Sequence, residues 1–279
     1  MILDLPAPDR PRLAGAPLEV VVWQLQFADP VDVSSGRVGQ AVAEALSDVA
    51  ESRPKLTRIA PATVTLALGG AGAPGIQAQS FAAPAAPGQH GASQSTGWQI
   101  RADDLAVTIT QAAIAVETTS YDVWKTFRAA IASSLDGLLG ALDEAPSEQR
   151  LGLRYIDRLS RPEISKLTDW EGWLEPWLLG PILHPQVGEA ISATAQQIDC
   201  DAGDGMTVTL RQRGFVDLER RNRQTIVLDF DAFREGYRAV DHEDVLAATD
   251  ALSDISHRLF RAAITDRLYD VLREEPQPQ

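Results

Sequence analysis

Five arginines, Arg211, Arg213, Arg220, Arg221 and Arg223, fall within residues 211–223, against only Asp217 and Glu219 in the same stretch. A guanidinium presents a planar fork of donors that matches a carboxylate or a phosphate. The stretch therefore reads in three ways: a solvated hairpin with local ion pairs, a dock for an acidic protein surface, or a contact for nucleic acid or nucleotide phosphate. Arg150, Arg154 and Arg158 recur at every fourth position of an apolar run, which on a strand puts them on one face. Arg154 and Arg158 join the patch only if their strand neighbours that face. Partner or ligand contact is thus assigned to Arg154, Arg158, Arg211, Arg213, Arg220, Arg221 and Arg223.

Other residue types that do chemistry are scattered. His90, His184, His242 and His257 form no His-x3-His or His-Glu-x-x-His pair, so the sequence predicts no metal site. Asp199-Cys200-Asp201-Ala202-Gly203-Asp204-Gly205 is reminiscent of a calcium loop, but Gly203, Asp204 and Leu210 stand at its fifth, sixth and twelfth positions. Those positions need an oxygen ligand, Gly and a bidentate Glu, so the segment is read as a hairpin turn. Cys200, the only cysteine, sits beside carboxylates that raise a thiol's pKa, and a thiolate nucleophile is not expected. Serines such as Ser160 and Ser192 lack a Gly-x-Ser-x-Gly elbow. Glu117, Asp157 and Asp229 supply carboxylates for acid and base work, though frequent neighbouring arginines favour structural ion pairs. Trp170, Trp173 and Trp177 recur at helical steps, which favours packing over a ligand box. No catalytic residue and no cofactor is assigned.

The chain has 279 residues, 44% apolar and 23% charged, and 25 Lys+Arg against 39 Asp+Glu give a net charge of −14. Such a mean field repels phosphates and argues against a generic nucleic-acid binder. One cysteine excludes an intrachain disulfide and fits a reducing compartment. No stretch approaches the roughly 20 apolar residues that span a bilayer, and residues 1–16 lack a basic, apolar leader. A cytoplasmic protein without a membrane segment is expected.

These residues must be positioned by the elements the hydrophobic pattern predicts. Residues 1–16, with Pro6, Pro8 and Pro11, read as an extended arm. Residues 18–27 alternate Val21, Trp23, Leu25 and Phe27 with Gln24 and Gln26, a strand with one wetter face. Val38, Val42, Ala45 and Val49 then mark a helix capped by Ser34 or Ser35. Residues 67–96 are rich in Gly, Ala, Pro, Ser and Gln and read as a mobile insertion, with no lysine placed for a phosphate cradle. Residues 98–101, 105–110 and 113–119 predict three strands of an antiparallel meander. Tyr121, Trp124, Phe127, Ile131, Leu135, Leu138 and Leu142 predict a long helix capped by Ser120.

The second half repeats the order. Residues 151–159 read as a strand and residues 170–178 as a short aromatic helix ended by Gly180-Pro181. Residues 190–198, 206–212 and 224–230 read as three more strands. Asp241-x-x-Asp244 opens a long helix with apolar positions from Val245 to Leu272. Ile226–Leu228 leading into Phe233-x3-Tyr237 parallels Ile114–Val116 leading into Tyr121-x2-Trp124. The predicted fold class is α+β: two β-α-β-β-β-α units at 17–143 and 149–273, an internal duplication, forming a curved antiparallel sheet backed by long helices. Residues 274–279 are a tail.

Four segments resemble a sporadically distributed, largely uncharacterised bacterial protein family. They are the strand Leu18-Glu19-Val20-Val21-Val22-Trp23-Gln24-Leu25-Gln26-Phe27 with Ala16-Pro17 before it, Gly97-Trp98, Glu117-Thr118-Thr119-x-Tyr121-x2-Trp124-x2-Phe127, and Arg150-Leu151-Gly152-Leu153-Arg154-Tyr155-Ile156-Asp157-Arg158. Phe260-Arg261-Ala262-Ala263-Ile264-Thr265-Asp266 resembles the family's ending. The resemblance carries no activity; patchy occurrence implies horizontal transfer, as with toxin-neutralising and phage-defence components.

The sequence reading is therefore a non-enzymatic protein-binding or scaffold protein in a bacterial defence or toxin-neutralising setting. Its rivals are a sensor of a small anionic ligand or nucleotide on the arginine-bearing face, and an enzyme of unrecognised type. A protein partner is expected, with a homo-oligomer open through an exposed sheet edge and no membrane partner. Deleting residues 69–94 is expected to leave the melting temperature nearly unchanged in calorimetry, because the segment lacks apolar bulk to pack.

Overall fold

The computed structural model describes residues 3–7, 12–59, 97–218 and 223–274. Its strands are β1 (Leu18–Phe27), β2 (Lys55–Ile59), β3 (Gly97–Ala102), β4 (Leu105–Ile109), β5 (Ala113–Thr118), β6 (Ser147–Ser160), β7 (Thr194–Gly203), β8 (Met206–Asp217) and β9 (Arg223–Ala239). Its helices are α1 (Gly36–Leu46), α2 (Trp124–Ala141), α3 (Pro176–Leu179), α4 (His242–Ala263) and α5 (Asp266–Glu274). The protein is of mixed α+β class, and the nine strands among the described residues form one antiparallel sheet in the order β2-β3-β4-β5-β1-β6-β9-β8-β7. The predicted insertion at 67–96, Arg220 and Arg221, and residues 275–279 of the predicted tail lie outside the described residues, while Glu274 closes α5.

Two compact units divide the chain: Val22–Gly152 with Arg234–Thr249, and Met1–Val21 with Leu153–Phe233 and Asp250–Gln279. In the first unit the meander β3-β4-β5 forms as the alternation dictates, with Ile100 opposite Val107 and Val107 opposite Val116, all buried. Trp23 on β1 is fully buried, and its indole Nε1 donates to Thr249 Oγ1 on α4 at 3.0 Å, so the ring is packed with its one polar group satisfied. Helices α1 and α2 pack at Gly137, where a side chain would stand 2.7 Å from Val42 Cα and 2.8 Å from Ala41 O. The helices approach this closely only because no Cβ intervenes. In the second unit Phe230 of β9 meets Phe260 of α4 edge to face, with centroids 6.1 Å apart.

Several expectations are corrected. Lys55–Ile59 is a strand, β2, which pairs antiparallel with β3 from Lys55↔Arg101 to Ile59↔Gly97. Its largely exposed polar residues hid it from an apolar count. The strand expected at 190–198 runs instead from Thr194 to Gly203, because Gly188–Ala190 is a 3-10 turn closed by the Ile191 N–H donating to Gly188 O. At its far end Asp204 and Gly205 take positive φ (51° and 74°), the backbone a two-residue hairpin turn requires. Ser120 does not cap α2: its N–H is held by Thr118 Oγ1, and the cap position falls to Val123. Residues 170–178 do not make one helix, because Pro176 opens α3 after a separate 3-10 turn at Leu167–Trp170. Phe233 and Tyr237 lie in β9 rather than leading a helix. Asp241 does cap α4, accepting the Asp244 N–H at 2.9 Å. The last helix breaks after Ala263, and Thr265 Oγ1 accepts the Leu268 N–H to start α5.

Gly137→Ala is expected to lower stability by about 1–3 kcal/mol through overpacking against α1. Gly140→Ala, on the same helix with nothing within 4 Å of the added methyl, is expected to raise it by about 0.5–1 kcal/mol. Urea denaturation of the two variants checks both.

Candidate functional site

The arginine-bearing site lies in the unit containing Leu153–Phe233. Strand β6 is apolar at Leu151, Leu153 and Leu159, all fully buried, and the alternation puts Arg154 and Arg158 together on one face of that strand. Arg154 lies across Asp229 of β9 in a two-pronged pair: Nε donates to Oδ1 and the terminal nitrogen to Oδ2, both at 2.6 Å, with both side chains buried. Arg158 stands between Asp217 of β8 at 2.7 Å and Glu19 of β1 at 2.9 Å. Arg211 of β8 reaches Asp229 at 3.6 Å and Asp231 at 3.7 Å, and its Nε donates to Gln197 Oε1.

The structure thus brings together Arg154, Arg158 and Arg211, three of the seven arginines assigned from sequence. Arg213 is half-buried on β8 and engaged with other groups, and Arg223 opens β9. Around the three clustered guanidiniums stand four carboxylates, Glu19, Asp217, Asp229 and Asp231. The positive charge of this face is therefore matched from within the protein. An incoming anion would have to displace an internal carboxylate from a guanidinium that is already desolvated.

Sequence reasoning named Asp229, and Asp217 as a local counter-charge within 211–223, but not Glu19 or Asp231 as partners. The available signal was the alternation Asp229-Phe230-Asp231, two acids on one strand face opposite the Arg154-x3-Arg158 pattern. Asp157 follows from the same crowding. Burial pushes its carboxyl up to about 8, with the negative charges of Glu19 and Asp229 adding to the shift, so it is largely protonated at neutral pH. Glu117 is also raised by burial, with Arg101 opposing, and it belongs to the other compact unit.

Trp170 and Trp173 are buried, and Trp173 is stacked by Arg267 at 3.7 Å and Arg161 at 4.9 Å from its ring centroid. Trp177 departs from the packing expectation: it is 45% exposed and held at its rim by Nε1 donating to Ala262 O. Cys200 is pushed up by burial and by Asp199. Among the described residues no group of three or more His, Cys, Asp or Glu side chains is arranged to hold a metal ion. No helix among them is long and apolar enough to cross a membrane.

The expectation that 211–223 is the connection between two strands is corrected: residues 211–217 belong to β8, Arg223 opens β9, and residues 219–222 lie outside the described residues. The descending strand ends on two exposed apolar side chains, Val216 at 36% and Leu218 at 65% exposure, either side of the buried Asp217. An exposed apolar pair at the end of β8 was not among the sequence candidates. Alternation contains the signal: if Asp217 turns in toward Arg158, its neighbours must turn out.

No protein-family model matches the chain, and no curated protein matches it in sequence. The resemblance described above rests on the quoted segments.

A carboxyl that stays protonated in the folded state and ionises in the unfolded chain makes the folded state the stronger proton binder between about pH 4 and pH 8. The contribution of Asp157 to stability is therefore full below its unfolded pKa and is lost as pH rises toward 8. Asp157→Asn is expected to flatten the fall in melting temperature over that interval and to melt higher than the parent at pH 8. Thermal unfolding across a pH series reads both.

Proposed function

We propose that the chain is a non-enzymatic protein-binding or scaffold protein that makes contact through the β8–β9 hairpin. The observation that carries this reading is the exposed pair Val216 and Leu218, set in a basic stretch of an acidic chain. Exposed apolar side chains beside arginines in the sequence suit a protein contact, and an acidic partner surface complements the arginines. The reading as a sensor of small anions draws less support, because Arg154, Arg158 and Arg211 already face Asp229, Asp217, Glu19 and Asp231.

The strand order supports descent from a duplication. Outward from the β1 and β6 neighbours it runs β5-β4-β3 on one side and β9-β8-β7 on the other, with β2 added to the first set. A helix, α1, follows the first strand of one set, and a run of short helical turns around α3 follows that of the other. On this reading the units at 17–143 and 149–273 are repeats joined at their first strands. The resemblance to a sporadically distributed bacterial family adds the setting of defence or toxin neutralisation, where a stoichiometric neutraliser needs a surface and no catalytic group.

Affinity capture of the tagged full chain from its native host, beside a Leu218→Asp variant, tests the proposal. One stoichiometric protein is expected with the parent and at least tenfold less with the variant, at unchanged melting temperature. Equal recovery by both, or no stoichiometric protein with the parent, overturns it.

A further inference from the structure

The exposed pair at the end of β8 sits where the sheet supports it least. Strand β7 pairs with β8 no further than Thr194↔Gly214, so Phe215, Val216 and Asp217 extend past the start of β7. Beyond Gly214 the strand has β9 on one side and no strand among the described residues on the other. A strand end with half its neighbours opens more readily than the body of a sheet. Side-chain contacts must therefore decide which way its residues face.

One such contact comes from two strands away. In the sheet order β1-β6-β9-β8, the Arg158 side chain of β6 reaches past β9, and a terminal nitrogen donates to Asp217 Oδ2 at 2.7 Å. On the opposite side its Nε stands 2.9 Å from Glu19 of β1. The Glu19 side chain is 28% exposed and the Asp217 side chain only 5%. Asp217 is thus the carboxylate that depends on the guanidinium for its burial to be tolerable. Arg154, by contrast, directs both prongs of its pair to Asp229 on the adjacent strand β9.

We infer that Arg158 is a positioning residue for the contact surface at the end of β8: by drawing Asp217 inward it turns Val216 and Leu218 outward and holds them there. This role rests on the reading of that pair as the partner contact. Successive residues of a strand point to opposite faces, so a bond that fixes Asp217 sets the direction of both its neighbours. Val216 and Leu218 are exposed and Asp217 between them is buried, as that coupling requires.

Removing the guanidinium leaves the Asp217 carboxylate buried without that charge beside it. It regains water only if the end of the strand turns or frays. Either movement takes Val216 and Leu218 out of the arrangement a partner meets, so affinity falls although neither apolar side chain has changed. Two apolar residues in place of Arg158 and Asp217 need no water and hold position 217 inward by their own burial. The ion pair is therefore replaceable as a tie, whereas Leu218 is not replaceable as a contact.

Amide hydrogen exchange of the full chain reads the tie without any partner, and affinity capture from the native host reads the contact. Arg158→Met is expected to speed exchange at residues 215–218 about tenfold relative to residues 206–212, and to recover about tenfold less of the stoichiometric protein than the parent. Arg154→Met also breaks a buried pair; it is expected to lower the melting temperature but to leave the ratio of exchange between the two segments as in the parent. Arg158→Met combined with Asp217→Leu removes both charges, so its folding does not depend on burying a carboxylate, and it is expected to restore both exchange and capture. Parental exchange at 215–218 in Arg158→Met, an equal change in Arg154→Met, or no restoration in the double variant overturns the inference. Undiminished capture by Arg158→Met where Leu218→Asp loses it also overturns it and leaves the contact reading standing. Equal capture by the parent and Leu218→Asp overturns that reading, and with it the role given to Arg158, whatever the exchange shows.

Discussion

The unit that carries the arginine face is organised by one buried contact, the two-pronged pairing of Arg154 with Asp229. Burying either charge alone is costly, because each loses its water and gains nothing in a low-dielectric surrounding. Burying both, with two short bonds aligned, makes the cost tolerable only at a single geometry. That geometry fixes how β6 lies against β9 more sharply than apolar side chains can, since a slip of one residue turns Arg154 to the other face. The neighbouring groups follow from it. Arg211 must share Asp229 from farther away, and Asp157 holds its proton near neutral pH because it is buried, with Glu19 and Asp229 nearby adding to the effect.

The other unit uses the same device with different residues. Glu148 of β6 is wholly buried, and Arg234 of β9 donates to both of its oxygens at 2.8 and 2.9 Å while also reaching Asp244 at the start of α4. Asp244 is held below the usual carboxylate range by the hydrogen bond and charge of Arg234. Here the pair ties the end of a long strand to the helix that follows it. Arg234 thereby does in β9 what an apolar residue would do for packing alone, and it adds direction. Such pairs contribute specificity of register more surely than net stability.

The parts of this arrangement that were legible in the sequence are those governed by local period. Trp23, Leu25 and Phe27 alternate with Gln24 and Gln26, and the strand β1 forms where they do. The meander β3-β4-β5 is likewise carried by Ile100, Val107, Ile109, Ile114 and Val116, and Asp241 marks its helix start by a side-chain bond. What escaped was set by partners distant in the chain. Nothing local in Lys55-Leu56-Thr57-Arg58-Ile59 announces a strand, because its order comes from pairing with residues some forty positions later. Phe233 and Tyr237 looked like the approach to a helix because their spacing fits one, yet β9 runs on, held by Arg234 to Glu148 and by the Val240 N–H to Pro146 O. The arginines were the hardest to read: a guanidinium that meets a carboxylate from another strand and one that meets water are written with the same letter.

That last ambiguity decides how the chemistry of the chain is weighed. Seven arginines picked by spacing suggest a cationic face, and a cationic face suggests an anionic ligand. Three of them are met from within by Asp217, Asp229, Asp231 and Glu19, and the same alternation that turns Asp217 inward turns Val216 and Leu218 outward. The charge that looked available for binding goes into holding the strands in register, and the surface gains apolar side chains where the sequence suggested charge. A contact made by such a tip draws its energy from burying Leu218 and its neighbour, with the charge of the surrounding residues steering approach and excluding like-charged surfaces.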